Sequence, residues 1–423
     1  MKKIIALLLA CMMLFLTACN QTPPSETTGG LPNETTGSQS SGTPEKPGDS
    51  LPQGIIRNGF ANMMETPSRI LFSQKRTIGS TFYYSKADGK AYIYCFDPLC
   101  SHEGGCLASP QDDSNIFSFE LRCTFFINNR FYSVTGYGQI YSFAFDGSDL
   151  RIEYGEDEYV FGQIDHNLWS QNYRAYGKYI YIPMDADENG KPCTLRFNTE
   201  TKEMENLTEK TGNYIAPVFF YNGEIYGRGA DRLWHKTDLE LKEMQSIDTM
   251  PTSTVFYENL FFETVFNGAE DYSKERAIGL EVYDVKTGEK TLISNEMMGL
   301  EAPKGYTVVA ADENYVYFYP YEQVLFGTTI DAKGKEVNVY KNNPGKLYRV
   351  KHDGTECVCV YDDPGLAFNG SDAVLTGDQI LIWGQSFYFD DNGYAKKTSI
   401  TLKAGTISPD GTIEKFEDVE LIY

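Results

Sequence analysis

The chain has 423 residues, with 37 Lys and Arg against 59 Asp and Glu, giving a formal net charge of −22 at pH 7. So acidic a balance argues against a partner gripped through a phosphate backbone, which selects a basic face, and no nucleic-acid partner is expected. Thirty Tyr, 26 Phe and 3 Trp are far too many for a disordered acidic polymer, so most of the chain has the means to bury a core.

The N-terminus reads Met1-Lys2-Lys3, then an apolar run from Ile4 to Leu16, then Thr17-Ala18-Cys19. A positive start, a short apolar stretch and a small-residue processing site make an export leader. The run falls short of the roughly 20 apolar residues a membrane span needs. Leu16-Thr17-Ala18-Cys19 resembles the bacterial lipobox. That resemblance implies that 1–18 is a lipoprotein signal peptide and that Cys19 carries the lipid. Two or more acyl chains on Cys19 meet the requirement for stable anchoring. The expected location is the extracytoplasmic face of the cell membrane. Residues 20–53 carry 22 Pro, Gly, Ser or Thr in 34 positions and no aromatic, so 19–53 reads as the lipidated Cys followed by a flexible linker.

From 54 to 423 helical periodicity is nearly absent, and short Tyr, Phe, Ile and Val runs alternate with Gly, Asn and Asp turns. The runs recur at Thr81–Tyr84, Arg130–Ser133, Lys178–Tyr181, Glu224–Tyr226, Asn259–Phe262, Tyr315–Phe318 and Gln379–Ile382. A second run follows in most units and ends in a turn, as in Ile140–Gly147, Leu280–Gly288 and Leu347–Gly354. Seven units over 370 positions give about 53 residues each, close to the kelch-like period. A unit of this size cannot cover both of its faces alone, and radial stacking around a channel does so. The predicted fold is all-β, a β-propeller of seven blades of four antiparallel strands. Arg69–Phe72 is expected to close the ring with the last blade. The phrase Leu347-Tyr-Arg-Val-Lys-His-Asp-Gly354 resembles the low-density-lipoprotein-receptor-like propeller repeats of uncharacterised bacterial surface lipoproteins. The resemblance implies a fold and a surface location and carries little about chemistry.

Early in this stretch comes Cys95-Phe-Asp-Pro-Leu-Cys100-Ser-His102-Glu-Gly-Gly-Cys106. Three thiols and an imidazole suit a closed, tetrahedral, structural zinc, with Cys123 as an alternative fourth ligand. The segment also looks like a Cys- and His-containing signature of the same lipoprotein family. Outside the membrane, disulfide pairing competes directly with metal, and buried free thiols are a third outcome. Each of these staples a long loop. Cys357-Val-Cys359 places two thiols on one face of a strand, where core packing is the expectation.

Other motifs are weaker. Asp185-Ala-Asp-Glu-Asn-Gly190 starts like a calcium loop, but Arg196 stands where the bidentate Glu belongs, so it reads as a turn. His166, His235 and His352 read as structural or exposed. Trp169, Trp234 and Trp383 are candidates for lining one face. No zincin, nucleophile-elbow or phosphate-loop motif is present. The expectation is a lipid-anchored binding or scaffold module for a glycan, peptide or partner protein, with recognition on variable blade-top loops. The alternative is a surface carbohydrate-active enzyme, a hydrolase or lyase with carboxylates at the propeller channel.

Overall fold

The computed structural model describes residues 63–73, 81–94, 123–134, 139–145, 148–155, 173–184, 190–248, 250, 255–269 and 271–422. They form seven antiparallel blades, each drawn from one contiguous stretch of chain. Blade 1 holds Met63–Glu65, Arg69–Ser73, Thr81–Ser85 and Ala91–Ile93, and blade 2 holds Thr124–Ile127, Arg130–Val134, Ile140–Phe143 and Arg151–Tyr154. Blade 3 is Arg174–Tyr176, Tyr179–Met184, Cys193–Asn198 and Met204–Asn206; blade 4 is Ile215–Tyr221, Glu224–Gly229, Trp234–Asp238 and Gln245–Ser246. Blade 5 is Phe256–Tyr257, Leu260–Phe266, Ala277–Asp284 and Lys290–Ser294. Blade 6 is Gly305–Ala311, Tyr315–Tyr321, Lys346–Lys351 and Val358–Asp362. Blade 7 is Leu366–Thr376, Gln379–Phe389, Thr401–Ile407 and Ile413–Asp418.

Local chemistry sets these strands. First and second strands are joined by two-residue turns such as Asn128-Asn129 and Asn222-Gly223, in which both residues have positive φ. That conformation matches the twist of the flanking strands, and Asn and Gly adopt it most readily. In blade 4 burial falls from the first strand, where Ile215 and Ala216 are enclosed, to the fourth, where Gln245 and Ser246 are exposed.

The ring is held by seven apolar interfaces, one between each pair of neighbours. Leu71 and Phe131 meet between blades 1 and 2, Phe125 and Phe197 between 2 and 3, and Tyr181 and Phe220 between 3 and 4. Tyr226 and Phe261 continue the series, then Phe262 and Phe318, then Tyr319 and Phe368. Phe72 and Trp383 close it between blades 1 and 7. Each fully buried aromatic of this kind is worth about 2–3 kcal/mol of transfer free energy, so the interfaces are the main cohesive term. Polar staples cross them as well: Thr194 Oγ1 donates to Ile215 O at 2.7 Å, and Thr264 Oγ1 donates to Tyr306 O at 2.7 Å.

The seven-bladed architecture agrees with the sequence reading, and two details differ. The recurrent runs are mostly second strands, with an inner strand before each, but Thr81–Ser85 is the third strand of its blade. Arg69–Ser73 does not join the last blade; it pairs on both sides within blade 1. The reason is that Met63–Glu65 already supplies the inner strand there. Closure is made instead by Leu421–Ile422, which adds in parallel outside Ala91–Ile93. Ala91 N donates to Glu420 O at 3.0 Å, and Tyr84 OH donates to Gln379 Oε1 of blade 7 at 2.6 Å.

Candidate binding surface

Antiparallel order puts the first-to-second and third-to-fourth turns of every blade at one end. The second-to-third connections and the links between blades lie at the other, here the loop end. The turns at the first end are short. At the loop end, blade 5 carries a ten-residue excursion, 267–276. Blade 6 carries a whole extra hairpin, Val324–Ile330 with Glu336–Lys341, and blade 7 extends its second strand to Phe389 and pairs it with Ala395–Lys397. Among the described residues, 15 large apolar side chains are exposed. Eleven of them lie at this end of blades 4 to 7: Leu233, Phe266, Tyr272, Ile278, Met297, Tyr321, and five on the two insertions. Such clustering, rather than single scattered exposures, marks an interaction surface.

The two insertions pack on each other. Phe326 stacks on Phe389 with ring centres 4.8 Å apart and planes at 18°. A register shift between Leu325 and Gly327 accompanies Phe326 at this contact. Gly327 is required by proximity, because a Cβ there would lie 2.8 Å from the Phe389 ring and 3.1 Å from Ala395 Cβ. The hairpin's outer face is left open, with Leu325 opposite Tyr340 and Ile330 opposite Glu336. Its base is fixed to blade 7. Lys341, only 3 % exposed, donates from Nζ to Pro364 O and to Leu366 O. Burial lowers its pKa, with Asp363 opposing that shift. Asn343 Nδ2 donates to Phe368 O at 2.8 Å, and its Oδ1 accepts from Phe368 N at 3.2 Å.

Four carboxylates at this end are engaged as turn acceptors. Asp331 accepts from Lys333 N and Lys335 N at 2.9 and 2.8 Å. Asp390 accepts from Tyr394 N and Asn392 N, and these amides, Tyr394 foremost, hold its pKa below the usual range. Asp231 accepts from Leu233 N and sits 2.9 Å from His235 Nε2, which together lower its pKa. Asp271 caps the short turn Tyr272–Lys274 through Ser273. Elsewhere, Arg196 is 5 % exposed and binds Glu205 at 2.6 Å and Glu240 at 2.5 Å. A cavity of about 260 Å³ beside it, between blades 3 and 4, is lined by Leu207, Lys210, Thr211, Glu240 and Lys242.

Cys19, Cys95, Cys100, His102 and Cys106 lie outside the described residues, as do His166, Trp169 and positions 185–189. Cys123 is buried in the interface of blades 2 and 3, where Cys193 and Tyr173 are also enclosed. Arg196, which replaces the calcium-loop Glu, is committed to its two carboxylates. The two described tryptophans do not line the surface. Trp234 is 8 % exposed beneath Arg228 and Trp383 is 7 % exposed against Phe72. His352 is sandwiched near Phe262, and burial lowers its pKa, so it stays neutral at pH 7. Cys357 packs against the interface of blades 5 and 6 while Cys359 is exposed, so only one of the pair meets the core expectation. The hairpin of blade 6 went unassigned in the sequence, where the long, irregular last units are its trace, whereas Asp390-Asp-Asn-Gly393 reads in the sequence as a hairpin tip and is one in blade 7.

No protein-family model matches the chain, and no curated protein matches it in sequence. Solved structures with similar architecture include BamB from Moraxella catarrhalis, 10 % identical over 75 % of this chain and 76 % of that one, with a TM-score of 0.32. The extracellular domain of a putative hybrid two-component system from B. thetaiotaomicron is 12 % identical, with a TM-score of 0.32. It covers 82 % of this chain, which spans only 46 % of its length. YCF48, solved bound to D1 peptide, is 10 % identical over 65 % of this chain and 80 % of that one, with a TM-score of 0.31. The assignment of a seven-bladed propeller stands on this chain's own sheets and interfaces.

Proposed function

We propose that the chain is a lipid-anchored, extracytoplasmic propeller acting as a binding or scaffold module, taking a protein or peptide partner at the loop end of blades 5 to 7. The observation that carries this is the exposed aromatic and aliphatic platform on two mutually packed insertions. Large rigid side chains held open by a fixed backbone bind at low entropic cost, which is how interfaces use aromatics. The carboxylates named at this end are occupied by their own turns, and no specific observation favours the carbohydrate-active alternative. The lipid-anchor part rests on the leader and Cys19. It predicts that the wild-type chain takes up labelled palmitate and sediments with membranes, and that Cys19→Ala does neither. The binding part is tested by proximity cross-linking on intact cells. Partners captured by the wild type should be lost in Leu325→Glu and Tyr340→Glu and kept in Ile152→Glu, an exposed position on the outer strand of blade 2. Equal capture by all four chains would move the binding site elsewhere.

A further inference from the structure

Core packing accounts for Cys357 but not for Cys359. The exposed Cys359 belongs to Val358–Asp362, the fourth and outermost strand of blade 6. Tyr348 lies directly opposite Cys359 and Arg349 opposite Val358, so the two cysteines flank Val358 on the face that carries Tyr348. Tyr348 and Cys357 pack against the same apolar cluster, and the Tyr348 hydroxyl is within hydrogen-bond reach of the Cys359 sulfur. Lys346, paired with Asp362 at 2.9 Å, stands close enough to favour negative charge on Cys359.

Distance decides what two thiols so placed can hold. Alternate residues of an extended strand repeat at about 6.4–6.8 Å. A disulfide needs Cβ atoms about 3.5–4.5 Å apart, so closing one here would buckle the strand beside its pairing with Tyr348 and Arg349. A metal ion between two thiolates spans more. With metal–sulfur bonds of about 2.3 Å the sulfurs sit roughly 4.6 Å apart in a linear arrangement, and side chains leaning toward each other cover the remainder. Among the described residues no three His, Cys, Asp or Glu side chains are grouped to share a metal, so the pair acts with two donors. Two soft donors suit copper(I), whereas zinc in a closed protein site takes four.

We propose that Cys357 and Cys359 form a two-coordinate thiolate site for copper(I) on the outer strand of blade 6. Binding breaks two S–H bonds, releases two protons to solvent and forms two copper–sulfur bonds, with no change of oxidation state. Burial raises both thiol pKa values, that of Cys357 to about 11, so the metal-free pair rests protonated and neither sulfur is poised as a nucleophile for disulfide exchange. A soft cation that displaces the protons shares the charge that burial penalises. The loaded site carries one net negative charge beside Lys346, and a chain at −22 draws cations toward its surface. The site is separate from the loop-end platform and does not depend on it.

The test titrates the full chain, reduced and without oxygen, with copper(I) alone against the chromophoric chelator bicinchoninate, then alkylates the thiols and maps the peptides by mass. The wild type should withhold one copper per chain more than Cys357→Ser or Cys359→Ser, at unchanged circular dichroism. Copper should shield Cys359 from alkylation in the wild type and not in Cys357→Ser, and zinc should shield it in neither. Mapping reads this position directly, so copper held by Cys95, Cys100 or Cys106 does not enter the result. Should Cys357→Ser fail to fold, Cys359→Ser, at an exposed position, carries the comparison of copper retained. Equal retention by the wild type and the variants, or alkylation of Cys359 indifferent to copper, overturns the site. Shielding by zinc overturns the copper assignment, and a metal-free pair two protons lighter that resists alkylation would make it a disulfide instead.

Discussion

Gly227 and Gly279 show how little room a blade interior leaves. A Cβ on Gly227 would sit 2.1 Å from Ala216 O, and one on Gly279 would sit 2.2 Å from Ile293 O. Both obstacles are neighbouring-strand backbone, which cannot rotate away. Gly227→Ala is therefore expected to cost about 3 kcal/mol or more, read as a fall in urea midpoint at unchanged slope. Arg196 makes the opposite kind of demand, being a buried cation that holds two carboxylates across blades 3 and 4. Lys210 and then Arg196 keep the Glu205 pKa low. Arg196→Gln should destabilise by about 2–3 kcal/mol, whereas Glu240→Gln, at the more exposed end, should cost less than about 1 kcal/mol. Neither the committed Arg196 nor the buried Lys341 was legible in the sequence. Nothing in the local pattern marks either side chain for burial, and Glu240 lies 44 residues from Arg196 while the carbonyls that hold Lys341 belong to Pro364 and Leu366 of the next blade.

Strand content was legible because second and third strands carry the densest aromatic runs, as at Arg130–Val134 and Tyr315–Tyr321. The inner strand of blade 1 was missed because Met63–Glu65 is three residues of weak β character. That omission shifted the register of the whole blade and sent Arg69–Ser73 to the wrong neighbour. The platform was missed for a related reason: its outer face carries Leu325, Ile330 and Tyr340, so the pattern there looks like another blade strand. At this scale the weakest closure is Leu421–Ile422, two residues on an edge. Leu421→Asp should lower Tm by a few degrees and speed amide exchange along Ala91–Ile93. Exchange unaffected on that edge would show that the side-chain contacts of Phe72 and Trp383 close the ring unaided.

Across the molecule, burial holds many phenols in their neutral form. Tyr317 and Tyr361 are pushed up to about 12, Tyr173, Tyr181, Tyr226 and Tyr306 are raised further, and burial takes Cys357 to about 11. Unfolded tyrosine ionises near 10, so above about pH 9 the folded chain holds more protons than the unfolded one. Stability must then fall as pH rises, and Tm should drop steeply between about pH 9 and 12, together with the phenolate absorbance step. The Cys95–Cys106 segment, which lies outside the described residues, offers a second whole-chain test. Native mass spectrometry without chelator should show either one bound zinc, released by acid with three thiols becoming alkylatable, or a mass two protons lighter per disulfide. In both cases Cys100→Ser should lower Tm, and an unchanged Tm would remove the stapling role.

Each blade is spent from one unbroken stretch of chain, and only the parallel strand Leu421–Ile422 reaches back to the first. The ring is therefore a row with a single clasp. Six of its seven junctions join neighbours along the chain, so they can form progressively during synthesis with little loop-closure entropy. The junction of blades 1 and 7 must wait for the last blade and pays for the largest loop. Opening under load or at the onset of denaturation should begin there, leaving the other blades stacked as an open arc.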